Sequence, residues 1–338
     1  MNILESFYYI GLYAKRYISL KKQKRLPCNV ISIGNITVGG TGKTPAAIAL
    51  AEEAQKRGLR PVILTRGYKG SAKGPCFVTR GDGPLMTAEQ AGDEPVLMAE
   101  RLRGVPIVKA ADRYGAGMFA IEAGKGLKTE GKVESAIDRT VFILDDGFQH
   151  WRLHRDKDIV LIDGRNPFGN RRLLPAGRLR EPLTGLKRAD IIMVTKAERQ
   201  DASLTAEIRR YNNSAPVFFS GHNAASIRSA SGQGMPLESL RGQRVCCFCG
   251  LADPGSFFDT VEAQGAVVAC RRSYPDHHLY SQKDIRLVDQ QARASGARFL
   301  VTTEKDMVKL RSLDLPENIL IIGIAFTADR PFFDSVFA

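Results

Sequence analysis

The chain has 338 residues, a mass of 37.1 kDa and a formal charge of +13. With 43% hydrophobic and 25% charged residues it is too apolar for a disordered chain, and it is long enough for two unequal domains that fold without disulfides. Scattered Cys28, Cys76 and Cys270, and the crowded Cys246, Cys247 and Cys249, do not form a secreted disulfide framework. The last three read as buried small residues of a strand, with a Cys247–Cys249 metal clip as the less favoured alternative.

Residues 1–25 hold six basic side chains against Glu5, a net of +5. On a helix, Ile3, Phe7, Ile10, Ala14 and Tyr17 fall on one stripe. The apolar run from Phe7 to Ala14 is far short of the roughly 20 residues that cross a bilayer, and nothing around it marks an export signal. The stretch is expected to be a basic amphipathic helix in an anionic membrane interface. The competing reading is a helix packed on the protein's own core. The protein is expected to be cytoplasmic and at most peripheral to the membrane.

After Pro27, Val30–Ile33 reads as a strand that runs into a glycine-rich turn, and Pro45 lies in the first turn of the helix that follows. Further strands are predicted at Pro61–Thr65, Pro106–Val108, Thr140–Leu144, Ile159–Ile162 and Ile191–Val194, with helices at Glu94–Arg103 and Tyr114–Ala123. Short apolar runs alternating with helices indicate a parallel sheet covered on both faces. The pattern relaxes near 221–240, a domain boundary, and a second series follows: strands at Val245–Phe248, Ala266–Cys270, Phe299–Thr302 and Ile319–Ile324, helices at Pro254–Gln264 and Gln282–Ser295. The expected fold is α/β and P-loop NTPase-like, mainly a parallel sheet with flanking helices, plus a smaller C-terminal α/β domain. The expected divisions are 1–25, 26–225 and 240–338.

Between the first strand and its helix stands Thr37-Val38-Gly39-Gly40-Thr41-Gly42-Lys43-Thr44. Glycines let backbone N–H groups turn toward phosphate oxygens, Lys43 is suited to the β- and γ-phosphates, and Thr44 offers a hydroxyl to Mg²⁺. Thr37 stands where the general phosphate-loop pattern has glycine. All eight residues are expected to hold the nucleotide. Val141–Leu144 ends in Asp145-Asp146, a Walker B form whose acid holds the Mg²⁺ shell, without deciding which of the two touches the ion. Residues 165–188 hold seven bases against Glu181, a net of +6. Thr195-Lys196-Ala197-Glu198 resembles a base-reading turn, and a plain exposed loop is as good a reading.

The loop, the paired acids and the basic start occur with Thr65-Arg66-Gly67-Tyr68, Gly92-Asp93-Glu94-Pro95, Asp112-Arg113, Asp145-Asp146-Gly147-Phe148-Gln149-His150, Leu174–Pro182, Asp276-His277 and Thr303-Glu304-Lys305-Asp306. In this order the chain resembles the tetraacyldisaccharide 4′-kinase family, the membrane-associated lipid A kinases of Gram-negative bacteria. Thr37 belongs to that family's pattern. The resemblance implies transfer of the γ-phosphoryl of ATP, with Mg²⁺, to the 4′-hydroxyl of an acylated glucosamine disaccharide 1-phosphate, giving lipid IVA at the cytoplasmic face of the inner membrane. It also implies Asp93 as catalytic base with His277 as partner across an interdomain cleft. It further implies Lys43, Arg113 and Asp146 as the other catalytic residues, with Thr44, Asp145 and Glu181 expected to face the metal. A monomer is expected. A membrane-cycling ATPase switch would carry lysine where this chain has Val38, and no nucleic-acid motif accompanies the basic patches.

Overall fold

Six-residue apolar runs with no polar alternation have to be buried on both faces, and that is where the chain puts them. The computed structural model describes residues 2–125, 137–197 and 200–338. Its first half comprises α1 (Ile3–Lys21), β1 (Asn29–Gly34), α2 (Lys43–Lys56), β2 (Arg60–Thr65), β3 (Cys76–Thr79), α3 (Ala88–Ala91), α4 (Asp93–Arg101), β4 (Ile107–Lys109), α5 (Arg113–Lys125), β5 (Thr140–Asp145), β6 (Lys157–Asp163), β7 (Ile191–Thr195), α6 (Ala202–Arg209) and β8 (Val217–Ser220). The strands form one sheet in the order β3-β4-β2-β5-β1-β6-β7-β8. Only the edge pair β3–β4 is antiparallel.

One face carries two clusters side by side. Val30, Leu64, Val108, Phe142 and Leu144 pack with Ala116 of α5 over β1, β2, β4 and β5. Val160, Ile162, Ile192 and Val194 continue the same face over β6 and β7 and pack with Leu204 and Ile208 of α6. Phe142 is fully buried, so cutting it to alanine would cost about 3–5 kcal/mol. The register matters for the site: Ile33 of β1 stands beside Asp145 of β5, so the glycine turn and the acids leave the same edge of neighbouring strands.

The chain divides into two compact units, 1–221 with 326–338, and 222–325. Two expectations change here. Helix α1 belongs to the first unit rather than standing apart, because Glu5 is buried in an ion pair with Arg172 (2.8 Å) and Tyr8 donates a hydrogen bond to the Arg180 carbonyl (2.7 Å). The end of the chain also belongs to the first unit. Its helix, Arg330–Phe337, is tied there by Asp334 to Arg57 (2.6 Å) and by the Lys157 ammonium donating to the Ser335 carbonyl (2.5 Å).

The second unit holds β9 (His222–Ser229), β10 (Gly234–Met235), β11 (Arg244–Cys249), α7 (Pro254–Ala263), β12 (Val267–Ser273), α8 (Gln282–Ala294), β13 (Phe299–Thr303), α9 (Glu304–Leu310) and β14 (Ile319–Phe326). Its sheet runs β10-β9-β14-β13-β11-β12. The stretch read as a relaxed boundary is therefore partly the hairpin β9–β10. Serine, asparagine and alanine give no strand signal there, and pairing plus burial of Ala224 and Ile227 supply what propensity does not. Cys246 and Cys270 stand opposite each other on β11 and β12 and are joined by a disulfide. Cys247 and Cys249 are buried, and burial pushes both thiols up to about 12. That suits apolar filler rather than metal ligands.

Candidate active site

The turn after β1 is built so that side chains cannot fill it. Gly39 has φ +118° and Gly42 has φ +81°, conformations that side chains resist. A Cβ on Gly39 would strike the Arg178 guanidinium, and one on Gly34 would meet Phe148 Cβ at 2.5 Å. The loop is also stitched in place. Val38 N–H donates to the Arg178 carbonyl (2.8 Å), Arg180 N–H to Ile36 (2.8 Å), and the Arg178 guanidinium returns to the Val38 carbonyl (3.0 Å). Asn35 donates to the Thr41 hydroxyl (3.0 Å), and the Thr195 hydroxyl donates to the Thr41 carbonyl (3.0 Å). Helix α2 starts at Lys43, two residues ahead of Pro45, so the proline falls among the first four N–H positions that have no helical partner. Thr44 is buried in the same turn.

Around this turn the charges are arranged in opposed pairs. Asp146, in a left-handed conformation at φ +52°, receives two hydrogen bonds from Arg180 (2.7 and 2.9 Å) and lies 3.7 Å from the Lys43 ammonium. Burial alone would raise its carboxyl, but Lys43 and Arg180 outweigh that and hold it below the usual carboxylate range. Asp145 is the opposite case. Burial first, then Glu94 and Asp146, push it up to about 7 against the pull of Lys43 and a 3.0 Å hydrogen bond from Thr65. Arg113 is buried with its guanidinium on the Ala110 carbonyl (2.8 Å). Burial lowers it to about 10, opposed by Asp145 and Asp146, so it stays cationic at neutral pH.

Asp93 is buried as the first residue of α4, and the capping position before it is taken by Gly92 at φ +97°. Glu181 is buried with its carboxylate on Arg188 (2.8 Å) and accepting from Gln149 (2.6 Å). In the second unit His277 has φ +63° and stands 3.6 Å from Asp276, which Lys305 holds at 3.1 Å. Lys196 is paired with Asp163 (2.8 Å), while Glu198 lies outside the described residues.

Three participants lie in motifs quoted from the sequence but carry no assigned role there. Thr65 is the partner of Asp145, Arg178 braces the loop, and Gln149 donates to both Asn35 and Glu181. The motifs mark the stretches, and only the folded contacts say what these side chains do.

The donor set was tested for Mg²⁺. Among the described residues no three His, Cys, Asp or Glu side chains gather as a metal cluster. Mg²⁺ commonly takes one or two protein oxygens and completes its shell with phosphates and water. A hydroxyl at Thr44, in the first turn of α2, and the buried acid Asp145 at the end of the neighbouring strand are a donor set of that kind.

A strand, a glycine turn opening a helix, a lysine at its head and two acids at the end of the neighbouring strand define a P-loop phosphotransferase. The family model for tetraacyldisaccharide-1-P 4′-kinase matches residues 2–337. The tetraacyldisaccharide 4′-kinase of Syntrophus aciditrophicus is 38% identical, over 98% of this chain and 90% of its own. That of Pelobacter propionicus is 41% identical, over 93% and 83%. Among solved structures, the "apo" form of LpxK from Aquifex aeolicus in complex with ATP shares 31% identity and a TM-score of 0.73, covering 99% of this chain and 96% of that one. The chain belongs to the tetraacyldisaccharide 4′-kinase family. It is an ATP-dependent lipid kinase of lipid A biosynthesis, phosphorylating tetraacyldisaccharide 1-phosphate at the 4′-hydroxyl.

Proposed function

We propose that the corner formed by Thr37–Thr44, Asp145, Asp146 and Arg180 moves the γ-phosphoryl of ATP to the 4′-hydroxyl, giving lipid IVA at the cytoplasmic face of the inner membrane. The observation that carries this is Asp146 held between Lys43 and Arg180. Before nucleotide arrives, the two cations that would face phosphate oxygens are kept in place by a carboxylate. The loop N–H groups bind the α- and β-phosphates, and Lys43 and Arg180 neutralise charge on the transferring group. Arg113, permanently charged and buried, adds a fixed positive field. Thr44 and Asp145 would hold Mg²⁺, which when bound would neutralise the β- and γ-phosphate oxygens.

Asp93 takes the proton of the 4′-hydroxyl as the new O–P bond forms, with His277 as its catalytic partner. Lys43→Ala should lower kcat by about two orders of magnitude or more. Transfer of labelled phosphate from ATP to lipid, rather than to water, checks it, and near-wild-type transfer would remove the P-loop from the mechanism. Asp93→Asn and His277→Ala should each cut kcat steeply while ATP affinity holds, with the double variant little worse than the worse single one. Fully additive losses would break the pairing.

The acceptor side is supported by α1. Glu5, Tyr8 and Leu12 face the protein, while Ile3, Phe7, Ile10, Tyr13 and Tyr17 are exposed. That stripe, followed by Lys21, Lys22, Lys24 and Arg25, fits an anionic membrane interface. No helix among the described residues is long and apolar enough to cross a membrane. Beneath α1 lies a cavity of about 200 Å³ lined by Tyr9, Leu12, Tyr13, Trp151, Lys187 and Arg188. The side-chain Nε atoms of Arg16 and Arg188 and the Trp151 indole N–H have no acceptor there. Tyr9, Leu12, Tyr13 and Trp151 give apolar wall for an acyl chain, and Arg16, Lys187 and Arg188, beside the acid Glu181, leave the cavity net positive for a phosphosugar. The enzyme is read as a monomer with no nucleic-acid partner.

A further inference from the structure

Lys109, the last residue of β4, is 3% exposed and, among the described residues, forms no ion pair with a carboxylate. Its ammonium donates to the Gln90 carbonyl at 2.5 Å, at the end of α3. Burial lowers the lysine, so holding a cation here costs stability that a methionine of similar shape would not. The surrounding backbone shows what that cost maintains. A Cβ on Gly67 would meet Lys109 Cδ and Cε at 2.5 Å, and one on Gly70 would meet its Nζ at 2.5 Å and the Gln90 carbonyl at 2.6 Å. Two segments, 67–72 and 89–92, therefore close around one lysine side chain. They are also bonded to each other, Ser71 N–H to the Glu89 carbonyl (2.9 Å) and Ala72 N–H to Gln90 (3.1 Å). Gly92, whose Cβ would meet the Tyr68 carbonyl at 2.7 Å, continues this packing straight into Asp93.

We propose that Lys109 is a positioning residue for the phosphoryl-transfer reaction: it locks the 67–72 and 89–92 segments together and so fixes where the first turn of α4 presents Asp93. Gly67 and Gly92, at φ +63° and +97°, are the positions where the backbone has to pass close to that lysine and to its own neighbour. A catalytic acid displaced by about 1 Å loses on the order of a hundredfold in rate, and ground-state nucleotide binding need not notice. The inference rests on Asp93 being the proton acceptor.

The test is steady-state kinetics of the full chain with ATP and the disaccharide 1-phosphate, with melting temperature measured alongside. Lys109→Met should lower kcat at least tenfold with the KM for ATP within about twofold of wild type. Lys109→Gln, which can still donate to the Gln90 carbonyl, should recover a large part of that loss. In an Asp93→Asn background, Lys109→Met should add almost nothing, because a residue that acts through Asp93 has nothing left to position. If Lys109→Met fails to fold, Gly70→Ala decides instead, since its new methyl wedges between the ammonium and the Gln90–Ala91 backbone and parts the same two segments, and the same fall in kcat alone is expected. Wild-type kcat in the methionine variant, an equal loss in both backgrounds, or a parallel loss of ATP affinity would overturn the proposal. Asp93→Asn at wild-type rate would instead remove the assignment of Asp93.

Discussion

The phosphate corner and the N-terminal helix belong to the same unit and treat charge in opposite ways. In the corner, Asp145 and Arg113 are buried, Lys43 and Asp146 half-buried, and each is shifted or held by the others. On α1 the lysines stay in solvent beside an exposed apolar stripe, while Arg16 turns inward and one face is anchored through Glu5 and Tyr8. Glu5 shows the anchor's strength: the hydrogen bonds from Arg172 and from the helix start hold its carboxyl down at about 2. The difference teaches where each region finds its missing partner. The corner keeps internal counter-charges that a nucleotide and a cation can replace, whereas the helix is completed by a surface outside the protein.

The sharpest way to break that contrast is Asp145→Asn. Turnover should fall by at least two orders of magnitude, yet the nucleotide-free protein should melt several degrees higher at pH 8. The sign follows from the upward shift from 3.8 to about 7. A raised carboxyl contributes stability that is complete below about pH 4 and is lost as pH climbs through about 7, roughly 4 kcal/mol against the ionised form. The asparagine variant should lose that slope, and Mg²⁺ with ATP should restore the wild type. A melting temperature unchanged between pH 5 and 8 would mean the acid is not isolated.

A smaller effect tests the other side. Phe7→Ser with Ile10→Ser removes two exposed side chains of α1 without touching Glu5 or Tyr8. Vesicle binding should weaken about tenfold at constant melting temperature, measured by co-sedimentation with anionic vesicles. Unchanged binding would return α1 to an ordinary surface helix.

The least effect is expected at His150, lowered to about 4 by burial and the cations Arg113 and Arg155. A depressed histidine contributes stability that is present above its ordinary 6.5 and is lost as pH falls through about 4. His150→Asn should therefore flatten the acid side of the melting profile by a few degrees, leaving the profile above pH 7 alone.

Much of this corner could be read along the chain because it is local: β1, the glycine turn and α2 are consecutive, and Asp145-Asp146 ends an apolar run. What could not be read is non-local. The hydrogen bond of Thr65 to Asp145 joins residues 80 apart, and Arg178 reaches Val38 across 140. Strand β3 is a four-residue edge strand and β10 a two-residue one, while β9 is made of serine, asparagine and alanine that give no strand signal, so pairing and burial of Ala224 and Ile227 decide it. The end of the chain was expected with the smaller domain because it follows it, and its contacts with Arg57, Lys157 and Phe218 assign it otherwise. Gly92 ahead of Asp93 separated a helix cap from an acid at the first helical position, which composition could not do.

The return of residues 326–338 to the first unit makes the second an insertion, entered by β9 and left by β14, which are neighbours in one sheet. A protease cut in either connecting segment would leave both pieces covalently joined through the other, so a nicked enzyme would not simply shed its smaller half. A gene truncated after β14, by contrast, would damage the larger unit, since it deletes the helix that grips Arg57 and Lys157. For engineering, the natural seams are therefore a pair, at 221 and 326, and the smaller unit can be exchanged as a cassette only if both are cut.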